Sequence, residues 1–370
     1  MLAFIKRLLR SSKVARRRVS ANLQSIKNRP SLEQLEGRRL LAFTTPVSYP
    51  VSSATPAGIA VGDYNADGRD DMAVVNSGIG SVSVLLANAD GSFAPKVDYS
   101  VSLGAVDAAM GDLNGDGKLD LAVVSSGAVD ILLGNGDGTF GAKSTFAGTL
   151  TSHSIKVGDF NNDTKLDVGT MNNNSASVLL GNGDGSLQAP MVATVLGNNI
   201  NLVTGDFDRD GNLDMATSNT ASIGTVNVLR GRGDGSFQPY NSYYAFSAPV
   251  YLAAGDFNED GYMDFACPNS YAATSMSVLL NNGDGTYSAP HTYGISQTGY
   301  EIEIEDFNND GHDDFAVRGN SQYMVSLGRG DSRFSHRLLT QRLVDDSKLG
   351  RTVISMVMEQ STSLIQAVAP

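Results

Sequence analysis

Carboxylates recur along this chain at a spacing suited to holding a cation. In the stretch DFNEDGYMD, acids or an amide stand at positions 1, 3, 5 and 9, and glycine at position 6. Six such loops occur. Their oxygen-bearing residues are Asp63, Asn65, Asp67 and Asp71; Asp112, Asn114, Asp116 and Asp120; Asp159, Asn161, Asp163 and Asp167; Asp206, Asp208, Asp210 and Asp214; Asp256, Asn258, Asp260 and Asp264; and Asp306, Asn308, Asp310 and Asp314. The residue at position 7 (Arg69, Lys118, Lys165, Asn212, Tyr262 or His312) would add its backbone carbonyl. Many protein oxygens on a flexible loop suit calcium better than magnesium, which tends to keep its waters. Two unit charges about 4 Å apart repel by roughly 4 kcal/mol at an effective dielectric near 20, so a loop with three aspartates should open without a cation.

The last acid falls at position 9 and strands flank the loop, which separates it from an EF-hand with its position-12 glutamate and paired helices. A solvated turn is the bland alternative. Against it, all six loops carry an apolar residue at position 2 (Tyr64, Leu113, Phe160, Phe207, Phe257, Phe307) that can pin the loop to a core. The third loop departs from the pattern, since Thr164 replaces the glycine at a place where a positive φ would strain it.

The loops start 49, 47, 47, 50 and 50 residues apart, a period that marks an array of supersecondary units. Within residues 109–150, a short apolar strand precedes the loop, LDLAVV and VDILL follow it, and the turn GNGDG leads into TFGAKSTF. Four short strands per period predict an all-β chain of four-stranded propeller blades. The turn recurs as NADGSF, NGDGTF, NGDGSL, RGDGSF, NGDGTY and RGDSRF, its Gly residues supplying positive φ and its aromatic anchoring the next strand between blades. At the amino end FTTPVSYPV, residues 43–51, matches a final strand with no repeat before it, and residues 351–370 read as a first and second strand without a loop. Together they predict a composite closing blade and a seven-bladed ring, with six blades as the alternative.

Composition agrees with an all-β array: glycine is abundant at 40 residues, charged residues make up 18%, and tryptophan is absent. Charge is divided along the chain. Residues 1–42 hold 11 Lys/Arg against 2 Glu, while residues 43–370 hold 16 against 37. We therefore divide the chain into a basic leader, 1–42, and a propeller domain, 43–370. The acidic body argues against nucleic acid as its partner. No apolar run reaches the length of a membrane-spanning helix. Cys267 is the only cysteine, so no internal disulfide can staple the fold, and metal is the natural substitute in an exported protein.

The ordered series of strand, DxNxDGxxD loop, strand and GNGDGxF turn resembles the FG-GAP and VCBS-type repeats of integrin α-chain propellers and bacterial surface proteins, over roughly residues 43–350. The resemblance implies a seven-bladed propeller with structural calcium, up to six ions, on the loop residues named above. The leader's end, SLEQLEGRRLLA, is similar to the LEPR-xLL segment of exported proteins of planctomycete-like bacteria, with Gly37 departing from it. It implies export to the cell envelope or exterior.

The expected function is calcium-stabilised surface binding or adhesion by a non-catalytic monomer, its ligand a surface protein or a glycan. A lectin-like propeller using residues such as Asn172, Asn173 and Tyr271 is the alternative, and a polysaccharide-acting enzyme is the weaker one. For the latter, the acids Glu303 and Glu305 alternate along one strand, where other repeats have small residues. The four histidines occupy no equivalent repeat positions. Arg329-Gly330-Asp331 spells an adhesion tripeptide, yet it stands where every other repeat has its hairpin turn.

Overall fold

The computed structural model describes residues 49–337, apart from 54–55, 150, 222, 247, 271–273, 296–297, 308–309 and 320–322, together with 344–346 and 351–353. The expectations for the leader and for residues 354–370 fall outside these. All regular structure in the described residues is β.

Each repeat forms a four-stranded antiparallel meander whose strands pair in chain order. In sheet one they are Pro56–Gly62, Asp71–Asn76, Ser81–Leu85 and Val97–Ser100. Sheets two to six cover residues 107–147, 154–194, 199–246, 253–294 and 299–337. The acidic loops join first to second strands, and the Asp-Gly turns join third to fourth, so both lie at the same end of each sheet. Val344–Asp346 pairs with Arg351–Val353, so the start of the predicted first strand folds back on the chain just before it.

The sheets stack face to face in the manner of propeller blades. First strands of successive sheets lie together, Pro56–Gly62 beside Asp107–Gly111, then Ser154–Gly158, then Asn199–Gly205. The core is divided among the interfaces: Val75 and Val84 of sheet one meet Leu121 and Val123 of sheet two, and Ala266 and Val278 of sheet five meet Phe315 and Val317 of sheet six. Stacking on both sides explains why second strands read as continuous runs, not alternating ones. Every residue of Asp120–Ser125 and of Asp264–Asn269 is buried. Fourth strands form the outer edge, and in Val97–Ser100 and His291–Gly294 the third residue turns partly inward while the others are exposed.

That inward residue meets the aromatic of the next sheet's turn. Tyr99 and Phe140 lie 5.4 Å apart edge to face, with Tyr64 of the first loop also 5.4 Å from Phe140. Tyr293, Phe257 and Phe334 repeat the cluster between sheets five and six. The predicted anchoring role of the turn aromatic and of loop position 2 therefore holds, each such pair contributing about 0.5–1.5 kcal/mol beyond burial. Cys267 is fully buried in the interface of sheets four and five, as a small apolar residue would be.

Candidate metal centre in the acidic loops

Each loop is held by its own side chains. In the first, Asp63 accepts the backbone N–H groups of Asp67 at 3.0 Å and Gly68 at 2.6 Å; Asn65 Oδ1 accepts Asp67 N–H at 3.1 Å, and Asp67 accepts Arg69 N–H at 2.9 Å. The same ladder runs through Asp112, Asn114 and Asp116, Asp159, Asn161 and Asp163, Asp206, Asp208 and Asp210, and Asp256, Asn258 and Asp260. In the sixth loop Asp306 and Asp310 repeat their parts, and Asn308 lies outside the described residues. Successive N–H groups are thus turned toward the side-chain oxygens of positions 1, 3 and 5.

The ladder requires a positive φ at two places. Position 6 has it in all six loops, and Thr164 takes it too, at φ 70°. Position 4 also has it, at Ala66, Asn162, Arg209 and Glu259 among non-glycine residues, a requirement the sequence pattern does not display.

Position 9 plays a distinct part. Asp71, Asp120, Asp167, Asp214, Asp264 and Asp314 are fully buried. One oxygen accepts the N–H of position 2, as in Asp214 from Phe207 at 2.8 Å, and the other accepts an N–H just before the Asp-Gly turn, as in Asp214 from Gly231 at 2.7 Å. All six loops repeat this pair. Position 9 is thus a staple between the loop and the turn at the same end of the sheet. Burial pushes these carboxyls above their usual range despite the two N–H donors, to about 7 for Asp214 and Asp264 and about 6 for Asp314. The negative charges of positions 1, 3 and 5 add to the rise.

A cation bound at 2.3–2.6 Å holds its ligand oxygens no more than about 5 Å apart. Asp206, Asp208 and Asp210 each offer an oxygen, and these three lie within 4.8 Å of one another. The donor set and its spacing fit calcium. The other loops have asparagine at position 3, so their third oxygen is an amide.

The turns form closed cups. Asp137 accepts both the N–H and the hydroxyl of Thr139, at 2.9 and 2.6 Å, and Asn135 Nδ2 donates to the same hydroxyl at 2.9 Å. Ser92, Ser186, Ser236 and Thr286 repeat the aspartate contact. The Ser or Thr after the glycine was a visible signal for this cup that the sequence reading left unused. The turns of sheets two, three and four also dock on the preceding sheet's loop: Gly138, Gly185 and Gly235 donate to the carbonyls of Tyr64, Leu113 and Phe160 at 3.0–3.1 Å, while in sheet five Asn281 Nδ2 donates to the carbonyl of Phe207 at 2.8 Å. Ser332, after the Arg-Gly-Asp tripeptide, donates to Phe257 in the same way.

Other candidates disperse. Asn172 closes the turn before the third strand of sheet three, and Asn173 accepts from Asn199 and contacts His153 at 2.8 Å. Tyr271 lies outside the described residues. Glu303 and Glu305 share a strand face, and their neighbour Glu301 pairs with Arg318 at 3.0 Å. An open cleft of about 340 Å³ lies between sheets one and two, lined among others by Asp98, Tyr99, Leu132 and Lys143.

The FG-GAP-like repeat family matches three overlapping segments, 63–123, 112–170 and 159–217, each running from the start of one acidic loop through the next into its second strand. Residues 63–217 are thus similar to FG-GAP-like repeats. The loops at Asp256 and Asp306 lie beyond that match, yet they carry the same position-9 staple as the FG-GAP-like segments. No curated protein sequence matches the chain. Among solved structures, a lectin of Agrocybe aegerita described as recognising non-reducing terminal N-acetylglucosamine is 18% identical, with a TM-score of 0.56 and 79% of each chain covered. BBS1N in complex with ARL6DN is 12% identical, TM-score 0.55, over 86% of this chain and 98% of that one. A Lactobacillus plantarum protein is 12% identical, TM-score 0.57, over 76% and 84%. These likenesses concern the fold, and all accord with a propeller.

Proposed function

We propose that the acidic loops hold structural calcium, up to six ions, and that the protein is an exported, non-catalytic binding module of the cell envelope or exterior. The observation that carries this is the convergence of Asp206, Asp208 and Asp210 within 4.8 Å on a loop ladder repeated in register along the array. Positions 1, 3 and 5 and the position-7 carbonyl would hold the ion, with position 9 holding the loop to the turn through its two N–H bonds. Bound calcium neutralises the loop carboxylates; the chain's own N–H ladder sets where they stand. A surface protein is the expected ligand.

The array is proposed to close with a seventh sheet. Tyr49 meets Phe93 edge to face at 5.2 Å, as Tyr99 meets Phe140 of the next sheet. On this reading residues 49–53 stand against sheet one as the fourth strand of sheet one stands against sheet two, which supports a composite sheet completed from the C-terminal segment over a ring of six.

The cleft between sheets one and two, with Tyr99 and charged groups in its wall, and the fold of the Agrocybe aegerita lectin favour a glycan as the second ligand class. A glycan array probed with the full chain in millimolar calcium and again in chelator decides between them. Saturable calcium-dependent binding of one sugar class selects the lectin reading. A blank array, from protein whose melting temperature rises with calcium, selects a protein ligand.

A further inference from the structure

Two loop positions whose side chains are not expected to ligate make contacts between neighbouring sheets. Asn162, position 4 of the third loop, donates through Nδ2 to Oδ1 of Asn212, position 7 of the fourth, at 2.8 Å. Arg209, position 4 of the fourth loop, places its guanidinium 4.1 Å over the ring of Tyr262, position 7 of the fifth. Glu259, position 4 of the fifth, pairs with His312, position 7 of the sixth. An amide pair, a cation on a ring and a carboxylate–imidazole contact thus occupy one topological place. The contact recurs although its chemistry changes.

The turn glycine lies against each pair. A Cβ on Gly233 would fall 2.3 Å from Asn212 Oδ1 and 2.6 Å from Asn162 Nδ2, and one on Gly330 would fall 2.4 Å from Glu259 Oε1. The first loops are built differently. Position 4 is Ala66 or Gly115, too short to cross, and the position-7 cation turns back onto its own loop. Lys118 Nζ lies 3.2 Å from Asp116, Lys165 Nζ lies 3.9 Å from Asp163, and Arg69 pairs with Asp67. In the fourth loop Arg230 approaches Asp208 at 3.5 Å but also donates to the carbonyl of Asp284 in the next sheet, so its cation bridges sheets as well.

Position 7 supplies a ligand carbonyl in the calcium reading, and position 4 lies between ligands 3 and 5. We infer that Asn162, Arg209, Glu259 and their partners are positioning residues that couple the third, fourth, fifth and sixth calcium loops into one cooperative, tighter class. The first two loops, each with a short position-4 residue and its own cation held against position 5, form an independent and weaker class. The inference rests on the calcium reading.

The test is calorimetric titration of calcium into the metal-free full chain. Two classes are expected, the tighter with a Hill coefficient above 1. Arg209→Ala should weaken the tight class about threefold and flatten its cooperativity, while Arg209→Lys, which keeps a cation over Tyr262, restores both. Removing the internal cations with Arg69→Ala and Lys118→Ala should tighten the weak class about threefold. A single class of independent sites overturns the coupling while leaving calcium binding intact. So does an Arg209→Ala variant that lowers the metal-free melting temperature yet leaves the isotherm unchanged, since that is a structural contact alone. No calcium heat at all removes both the coupling and the calcium reading beneath it.

Discussion

Asp120 accepts the backbone N–H of Gly134 at 2.8 Å, fourteen residues away in sequence, while its other oxygen holds the N–H of Leu113 at 2.9 Å. A residue that reads as a metal ligand is therefore also the pin between two connections of its sheet. Asp120→Ala would strand two N–H groups in a buried setting, at a cost of about 3 kcal/mol. Asp116→Ala, at an exposed position of the same loop, should change stability by less than about 1 kcal/mol. Urea unfolding in chelator measures both without metal. Equal losses would show that the two N–H bonds of Asp120 hold the fold no better than an exposed loop acid does.

Calcium should raise the melting temperature in a saturable way. At about 1 mM free ion, sites with dissociation constants near 10⁻⁴–10⁻³ M add roughly 0.4–1.4 kcal/mol each, so six sites add several kcal/mol. Magnesium at the same concentration should do much less. Identical scans in calcium and in chelator would end the structural-metal proposal.

The metal-free protein should lose stability as pH rises from about 4 to 7. Burial, with the neighbouring loop charges, raises Asp214 and Asp264 to about 7, above the ordinary carboxylate range that the unfolded chain shows. In that window the native state binds more protons than the unfolded one, so raising pH favours unfolding. Melting temperatures in chelator should be higher at pH 5 than at pH 8, and calcium should remove the difference at pH 8. A flat or rising profile in chelator contradicts the assignment of buried, proton-hungry carboxyls.

Thr164 sits at φ 70°, a conformation that β-branched residues adopt at a cost of about 1–2 kcal/mol. Thr164→Gly should stabilise the metal-free chain by about 0.5–1 kcal/mol after the entropy of the freer unfolded state is deducted. The reverse change in the second loop, Gly117→Thr, should destabilise by about 1–2 kcal/mol. Denaturant midpoints test the pair, and the same sign for both substitutions would rule out backbone strain as the cause.

Cys267 should be unreactive in the native protein. It is fully buried, and burial pushes its thiol up to about 12, so the thiolate is scarce at neutral pH. A thiol reagent should label it only as the chain unfolds, which makes it a reporter of opening between sheets four and five. Fast stoichiometric labelling of folded protein would place it elsewhere.

The sequence by itself determined whatever depends on neighbours in the chain. Six glycine-rich acidic loops, the strands beside them and the turns between third and fourth strands are all short-range patterns, fixed by the φ that glycine permits and by side chains bonding to backbone a few residues on. Hence the meander, the apolar pin at position 2 and the strain at Thr164 could be read directly. The second partner of each position-9 aspartate could not, because Gly231 meets Asp214 only once the third strand has paired with the second. The Arg209–Tyr262 contact lay further out of reach, since those residues stand on different sheets and meet only through face-to-face stacking. Position 4 shows this most plainly: Ala66, Gly115, Asn162, Arg209 and Glu259 share a positive φ but no chemistry, so no residue type marks the place. Local geometry is written in residue types. Contacts across the stacked sheets are decided by where the sheets come to lie, and at those places the sequence varies as long as the partners vary together.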